Sequence, residues 1–230
     1  MAKRFIRHHL LTLFCLLLIS GNVLAQRSEV GFGLGTLNYT GDLVQTYNFK
    51  YSKPAATVFY RSNLSSVVSF RTAITGGKIG ASEVPIDAFA TNRRASFNLF
   101  LLEASTVFEY HFLNWRDTKR FVRFTPYLFG GLALFGISGE IEKKEEYSNV
   151  QAAIPFGGGI KYVYNPKWYF SLEFGIRKTF FDYLDNISAG DLRNKNYQYG
   201  NPNNDDHYYF LGISITRTFY NIPCPTNPYK

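Results

Sequence analysis

The most constraining feature of the sequence is a strict alternation of side chains over residues 168–177. The even positions carry Trp168, Phe170, Leu172, Phe174 and Ile176, and the odd positions carry Tyr169, Ser171, Glu173, Gly175 and Arg177. Successive side chains of a β-strand point to opposite faces, so the segment predicts a strand with one apolar and one charged face. In a soluble sandwich the apolar face would pack on a second sheet, whereas in a membrane barrel it meets lipid and the charges lie inside.

The same alternation recurs along the chain and predicts eight strands, separated by alternately long and short connections. The strands are expected at residues 29–39, 54–62, 67–77, 97–111, 121–136, 152–164, 168–180 and 207–219. Bacterial outer-membrane barrels have an even number of antiparallel strands, short periplasmic turns and long extracellular loops. We therefore expect an all-β fold, an eight-stranded antiparallel transmembrane β-barrel of the cell outer membrane, with both mature termini in the periplasm.

The first 25 residues have the features of a secretory signal peptide. Lys3, Arg4 and Arg7 precede an apolar stretch over residues 10–19, and small or apolar residues end at Ala25. The apolar stretch is too short to span a membrane. The expected organisation is therefore a signal peptide at 1–25, a barrel at 26–220 and a Pro-rich periplasmic tail at 221–230.

Composition supports a barrel and excludes several other classes. Aromatic residues make up 18% of the chain, and such residues gather where a barrel wall meets the two membrane interfaces. The formal net charge is +8, but the basic residues form no block, so nucleic acid is not an expected partner. Only Cys224 follows the leader, which excludes an intramolecular disulfide and a cysteine-based metal cluster in the mature chain.

The alternation also places charged residues inside the barrel, including Glu109 and Lys161. The interior of an eight-stranded barrel is only wide enough for side chains, so opposite charges there would pair across the lumen. We expect no continuous water path, with a gated pore as the alternative. The lumen ion pairs are expected among Glu29, Arg71, Glu103, Arg123, Glu173 and Arg177.

A basic rim is expected at the periplasmic end of the barrel, where Arg61 and Arg217 map beside the short turns. Such a rim would attract anionic lipid headgroups or an acidic protein partner. The tail is kept extended by its prolines and carries the single mature cysteine. On this geometry, the partner-binding residues are expected to be Arg116, Lys119, Arg120, Lys167 and Cys224.

Histidine chemistry is the main enzymatic alternative. His111 and His207 map to opposite membrane faces and cannot share a site. His207 lies beside Asp205 and Asp206, with Ser188 in the same loop, but no spacing rule links these residues into a triad. The acidic residues of that loop offer oxygen ligands without EF-hand spacing. We therefore expect no enzyme activity, no catalytic residue, no cofactor and no metal site.

Three stretches resemble a family of small Bacteroidota outer-membrane barrels of the PorG type, which is associated with the type IX secretion system. Residues 29–43, ending in Tyr-x-Gly-Asp-Leu at 39–43, are similar to its opening strand and first loop. Residues 124–131 resemble its central strand, and residues 177–188, with Asp-Tyr-Leu-Asp at 182–185, resemble the exit into its last loop.

The resemblance implies a non-enzymatic role in which the barrel anchors periplasmic ring proteins of the type IX secretion (gliding) machinery to the outer membrane. The expected partners are then outer-membrane lipid, lipopolysaccharide and periplasmic secretion-ring proteins. The alternative is a free-standing small-solute channel or a surface-binding barrel that acts through its outer loops.

Overall fold

Eight β-strands close on themselves in a computed structural model that describes residues 28–41, 43–44, 46–82, 96–113, 123–139, 150–180 and 206–219. These residues all belong to one compact unit, Ser28–Phe219. The strands are β1 (Ser28–Thr40), β2 (Lys53–Asn63), β3 (Val68–Ser82), β4 (Ser96–His111), β5 (Phe124–Ser138), β6 (Val150–Asn165), β7 (Trp168–Thr179) and β8 (His207–Phe219).

Each strand pairs antiparallel with the next, and β8 pairs with β1, so the sheet has no free edge. This closed barrel confirms the fold class expected from the alternation. A short 3-10 helix, Phe49–Tyr51, precedes β2. No helix among the described residues is long and apolar enough to cross a membrane.

The two ends of the barrel differ in their connections. We call the end that carries Ser28, Phe219 and the β2–β3, β4–β5 and β6–β7 connections the turn end. The opposite end, with the β1–β2, β3–β4, β5–β6 and β7–β8 connections, is the loop end.

β3 extends furthest beyond its predicted bounds. β3 continues to Ser82, five residues past the expected end at 77, because residues 78–82 remain paired with residues 96–100 of β4. Gly77 permits this continuation, since a Cβ there would lie 2.5 Å from the Ala55 Cβ on β2. The glycine therefore marks a close approach of two strands and not the end of one.

Alternation of exposure follows every residue of β4, whose odd-numbered side chains are buried and whose even-numbered side chains face outward. The same pattern around the barrel makes an outer wall of exposed apolar side chains, of which Leu132 is 68% exposed and Ile213 is 63% exposed. Inward-facing glycines make room for bulky rings within. A Cβ on Gly159 would lie 2.7 Å from the Tyr127 ring.

Candidate functional site

The turn half of the lumen contains six buried charged side chains, which we call the ion-pair layer: Glu29, Arg61, Arg71, Glu109, Lys161 and Glu173. Glu109 is its centre. The Glu109 carboxylate lies 2.8 Å from Arg61 Nε, 3.0 Å from Arg71 Nε and 2.5 Å from Lys161 Nζ. Three cations and three carboxylates are therefore balanced in a space closed to solvent, where an unpaired charge would be costly.

The two outer carboxylates complete the layer from opposite sides. Arg71 donates from both Nη atoms to Glu173, at 2.6 and 3.2 Å, in the two-pronged geometry that guanidinium and carboxylate groups favour. Arg61 Nη1 donates to Glu29 at 2.9 Å. Glu173 also accepts from Tyr127 Oη at 2.8 Å. The strands that supply these residues are thus bonded across the lumen as well as along their edges.

His111 extends this layer toward the turn end. Lys161 Nζ lies 2.7 Å from His111 Nε2, and His111 Nδ1 lies 3.2 Å from the Val67 carbonyl oxygen. An ammonium group only donates, so Nε2 accepts from Lys161 and Nδ1 donates to Val67. Both ring nitrogens of His111 are therefore engaged in contacts that help to close the lumen.

A separate ion pair lies nearer the middle of the barrel. Arg177 Nε lies 3.2 Å from the Glu103 carboxylate, which also accepts from Tyr208 Oη at 2.8 Å. The Arg177 guanidinium lies over the Phe210 ring, 5.3 Å from its centroid. This pair sits where charged and apolar fillings of the lumen meet.

The loop half of the lumen is filled by an apolar core and not by further ion pairs. Tyr39 packs edge-on against Phe97 with ring centroids 4.9 Å apart, and Phe135 packs against Tyr208 at 5.4 Å. The first loop also contributes, since Leu43 and Val44 are buried in the same cluster. The whole core comprises Leu37, Tyr39, Leu43, Val44, Ala55, Ile79, Ala81, Phe97, Leu99, Leu101, Ala133, Phe135, Ile137, Ala153, Tyr208 and Phe210.

Two basic residues lie elsewhere than the sequence predicted. Arg61 was assigned to the rim, but its side chain is fully buried in the ion-pair layer, because it faces inward across from Glu29 and Arg71 on neighbouring strands. Arg123 was assigned to the lumen, but it precedes the first residue of β5 and its side chain is exposed. The prediction for Arg123 is therefore wrong, since the strand that would have turned it inward begins one residue later.

The remaining lumen residues named from the sequence come together in two groups. Glu29, Arg71 and Glu173 join the ion-pair layer, and Glu103 pairs with Arg177. The alternation did not identify the apolar core, although Leu99 and Leu101 alternate with the apolar residues Phe100 and Leu102. A strand that is apolar on both faces signals burial on both faces.

Charges on the outer surface have only one sign among the described residues. All five described acidic side chains, Glu29, Glu103, Glu109, Glu173 and Asp206, are buried. The exposed charged side chains are all basic and lie at the two ends: Lys50, Lys78 and Lys178 at the loop end, and Arg123, Lys167 and Arg217 at the turn end. Between them the wall is apolar, as expected of a surface that meets lipid.

The residues expected to bind a partner are mostly outside the described part of the chain. Arg116, Lys119, Arg120 and Cys224 lie beyond it. Lys167 is described, and its side chain is exposed in the β6–β7 turn. The side-chain oxygen of Asn165, two residues before Lys167, accepts from the Lys167 and Trp168 backbone N–H groups.

The residues of the enzymatic alternative do not form a site in the part of the chain that the structure describes. The Asp206 carboxylate is buried and accepts from Tyr39 Oη at 2.8 Å, so it closes the loop end of the lumen. His111 and His207 lie at opposite ends of the barrel, and Ser188 and Asp205 are outside the described residues. Within the described ranges, no group of three or more His, Cys, Asp or Glu side chains is placed to hold a metal ion.

Comparison with known proteins identifies a family and a shared fold. A family described as a domain of unknown function (DUF6089) matches residues 7–227. Neisserial surface protein A is similar at 14% sequence identity and a TM-score of 0.51, over 84% of this chain and 97% of that one. At this identity the similarity describes the fold alone. A search of the curated proteins finds no match.

Two further outer-membrane proteins show weaker structural similarity. The attachment invasion locus protein Ail of Yersinia pestis, in complex with the heparin analogue sucrose octasulfate, has 9% identity and a TM-score of 0.48, over 85% of this chain and 100% of that one. The outer membrane protein OprG from Pseudomonas aeruginosa has 8% identity and a TM-score of 0.48, over 86% of this chain and 97% of that one.

Proposed function

We propose that this chain, which belongs to the DUF6089 family of domains of unknown function, is a closed outer-membrane β-barrel that acts as a structural and assembly component of the type IX secretion (gliding) machinery. In this role it anchors periplasmic ring proteins to the outer membrane and catalyses no reaction. The observation that carries the proposal is the filled lumen, which leaves the rims and the outer wall as the working surfaces.

The filling of the lumen argues against the alternative of a small-solute channel. A channel needs a continuous path of water, and this lumen is interrupted twice. Glu109 holds three cations together in the ion-pair layer, and Leu43 and Val44 pack into the apolar core at the loop end. Opening a path would require breaking buried ion pairs and exposing apolar side chains to water, both of which are unfavourable.

The outer surface supports a position in a membrane. Exposed apolar side chains form the middle of the wall, and long basic side chains stand at both ends, where they can extend toward the two sets of headgroups. The predicted signal peptide directs the chain out of the cytoplasm, which leaves the outer membrane as the setting for such a wall. Lipid and lipopolysaccharide are then its immediate partners. The turn end and both mature termini face the periplasm in this orientation.

The assembly role itself is supported by the resemblance to PorG-type barrels. The partner contact is proposed at the turn end, where the exposed Lys167 lies and where Arg116, Lys119 and Arg120 follow the end of β4. Cys224 in the proposed tail belongs to the same contact. A positive rim of this kind suits an acidic surface on a ring protein.

An affinity pull-down from cross-linked envelopes tests the assembly role. The tag is inserted in the β5–β6 loop, between residues 140 and 149, so that the turn end stays free. Recovery of periplasmic secretion-ring proteins supports the proposal. If none of them is recovered with the full-length chain, the alternative of a free-standing barrel that acts through its outer loops is favoured.

Variants then locate the contact. One chain ends at Tyr220, and a second carries Gln at Arg116, Lys119 and Arg120. A matched control carries Gln at Lys50, Lys53 and Lys78, which removes the same number of positive charges at the loop end. Loss of the ring proteins in either of the first two variants, with recovery retained in the control, places the contact at the turn end. Equal loss in all three would contradict that placement.

A further inference from the structure

We infer that the turn end of the barrel wall carries a binding site for the phosphate headgroup of an anionic phospholipid, formed by Arg217 and Lys167. The inference rests on the proposed membrane position of the barrel and adds to it a specific ligand and a specific place on the wall.

Arg217 is held on the outer face of β8 between two aromatic rings. Its guanidinium carbon lies 5.6 Å from the centroid of the Trp168 ring and 5.4 Å from that of Phe219. Trp168 is the cross-strand neighbour of Arg217 on β7. Contacts between a cation and ring faces orient the guanidinium, and they leave its N–H donors available for a ligand.

No acidic residue of the described chain competes for Arg217, because every described carboxylate is buried. An exposed guanidinium without a described carboxylate partner is suited to an external anion. Its planar array of donors matches two oxygens of a phosphate group. The chemistry at this point therefore favours a phosphate ligand over a neutral one.

Lys167 supplies a second positive charge from a fixed turn. Its backbone N–H and that of Trp168 both donate to Asn165 Oδ1, at 2.9 and 2.8 Å, and its carbonyl oxygen accepts from Thr218 N at 2.8 Å. These bonds tie the turn to the residue that follows Arg217. The Lys167 side chain is exposed, so its ammonium group is free to reach a phosphate that Arg217 binds.

The level of the site on the wall favours a lipid as the source of the phosphate. Ile215, two residues from Arg217 toward the middle of the barrel, and Phe170, on β7, are both exposed to the proposed lipid. Trp168 and Phe219 therefore stand at the edge of the apolar band, the depth at which aromatic residues meet headgroups. A ligand here would place its phosphate on Arg217 and its acyl chains on the apolar wall.

The opposite side of the turn end lacks these features in the described residues. The arginines of β2 and β3 near that end, Arg61 and Arg71, are both buried in the lumen. Exposed side chains there include Tyr60 and Leu64, which carry no charge. Among the described residues, an exposed arginine framed by two aromatic rings with a lysine beside it therefore occurs on the β7–β8 side of the turn end. The other exposed basic residue described at this end, Arg123, precedes β5.

Trp168 is a built-in probe for this site. The chain has two tryptophans, so Trp115→Phe leaves Trp168 as the only indole. The full-length barrel is folded into bilayers of phosphatidylcholine and phosphatidylglycerol, with bromine on the acyl chains of one lipid or of the other. Quenching of Trp168 then reports which lipid lies beside it. We expect about a five-fold preference for phosphatidylglycerol, the effect of roughly one basic residue near an anionic headgroup.

Variants in the same background assign the preference to the site. Arg217→Gln is expected to remove most of it, whereas Arg217→Lys keeps the charge and retains part of it. Lys178→Gln is the matched control, because it removes one exposed positive charge from the loop end of β7 and should leave the preference unchanged. Excess inorganic phosphate should not displace the lipid.

The outcomes separate the site from the proposed function. Quenching by neither brominated lipid would mean that Trp168 does not face a membrane, which overturns the membrane position. Equal quenching by both lipids would keep the membrane position and overturn the site. A preference that survives in Arg217→Gln, or that inorganic phosphate abolishes, would also overturn the assignment of a phospholipid to Arg217.

Discussion

Replacing Glu109 with Gln is expected to be strongly destabilising, because this one carboxylate contacts three cations. Its oxygens lie 2.8 Å from Arg61, 3.0 Å from Arg71 and 2.5 Å from Lys161, and Glu109 has no exposed surface. The substitution leaves three cations facing two carboxylates. Breaking a buried ion pair by removing one partner costs about 3–5 kcal/mol, and we expect a cost in that range.

A second substitution distinguishes charge balance from lost packing. Lys161→Met removes one cation, so the double variant again has equal numbers of positive and negative charges in the layer. We expect it to recover about 2 kcal/mol relative to the sum of the two single variants, within the range seen for residues in contact. The assay is equilibrium unfolding in urea from phospholipid vesicles, followed by tryptophan fluorescence, with all variants measured at one lipid composition.

Two results would refute this reasoning. A cost below about 1 kcal/mol for Glu109→Gln alone, as measured for exposed ion pairs, would mean that water or side-chain movement stabilises the unpaired positive charge. Additive effects in the double variant would mean that Glu109 and Lys161 do not interact across the lumen, contrary to their contact in the structure.

Two pairs of substitutions test the outer wall and the packing of the lumen. Phe174→Arg, on the lipid-facing side of β7, should cost about 2–4 kcal/mol if the residue lies near the bilayer midplane, whereas Phe219→Arg at the turn end should cost about 0–1 kcal/mol. Equal costs in the same urea assay would contradict the proposed membrane position. Gly159→Val should cost about 1–3 kcal/mol, since even its Cβ would meet the Leu172 carbonyl oxygen and the Tyr127 ring. Gly130→Ala, with no atom within 4 Å of the new Cβ, should change the free energy of unfolding by less than about 0.5 kcal/mol. A Gly159→Val barrel as stable as Gly130→Ala would contradict the close packing of Gly159 against β7 and the Tyr127 ring.

Strand positions could be predicted from the sequence because side-chain alternation is a local signal. β7 and β8 begin at the predicted residues 168 and 207, where strict alternation starts beside turn residues. β3 was predicted to end at residue 77, the second of two consecutive glycines, which is five residues too early. The role of Gly77 depends on the approach of β2, a contact between distant residues that alternation does not report.

The lumen could be predicted in part, for a similar reason. Alternation gives the face of a residue but not its height in the barrel, and height decides which charges meet. Arg61 lies at an inward-facing position of β2, yet its position near the end of the strand suggested the rim. Arg123 would face the lumen if β5 included it, but it precedes Phe124, the first residue of that strand. The burial of Leu43 depends on how the first loop folds back, which no periodicity describes.

Single-channel recording in planar bilayers tests the closed lumen most directly. The purified full-length chain is inserted beside an open porin as a positive control, at matched protein amounts and applied voltage. A lumen filled by the ion-pair layer and the apolar core predicts no discrete current steps from this chain while the control conducts. Reproducible unitary currents from the native chain would contradict the account and favour the small-solute channel.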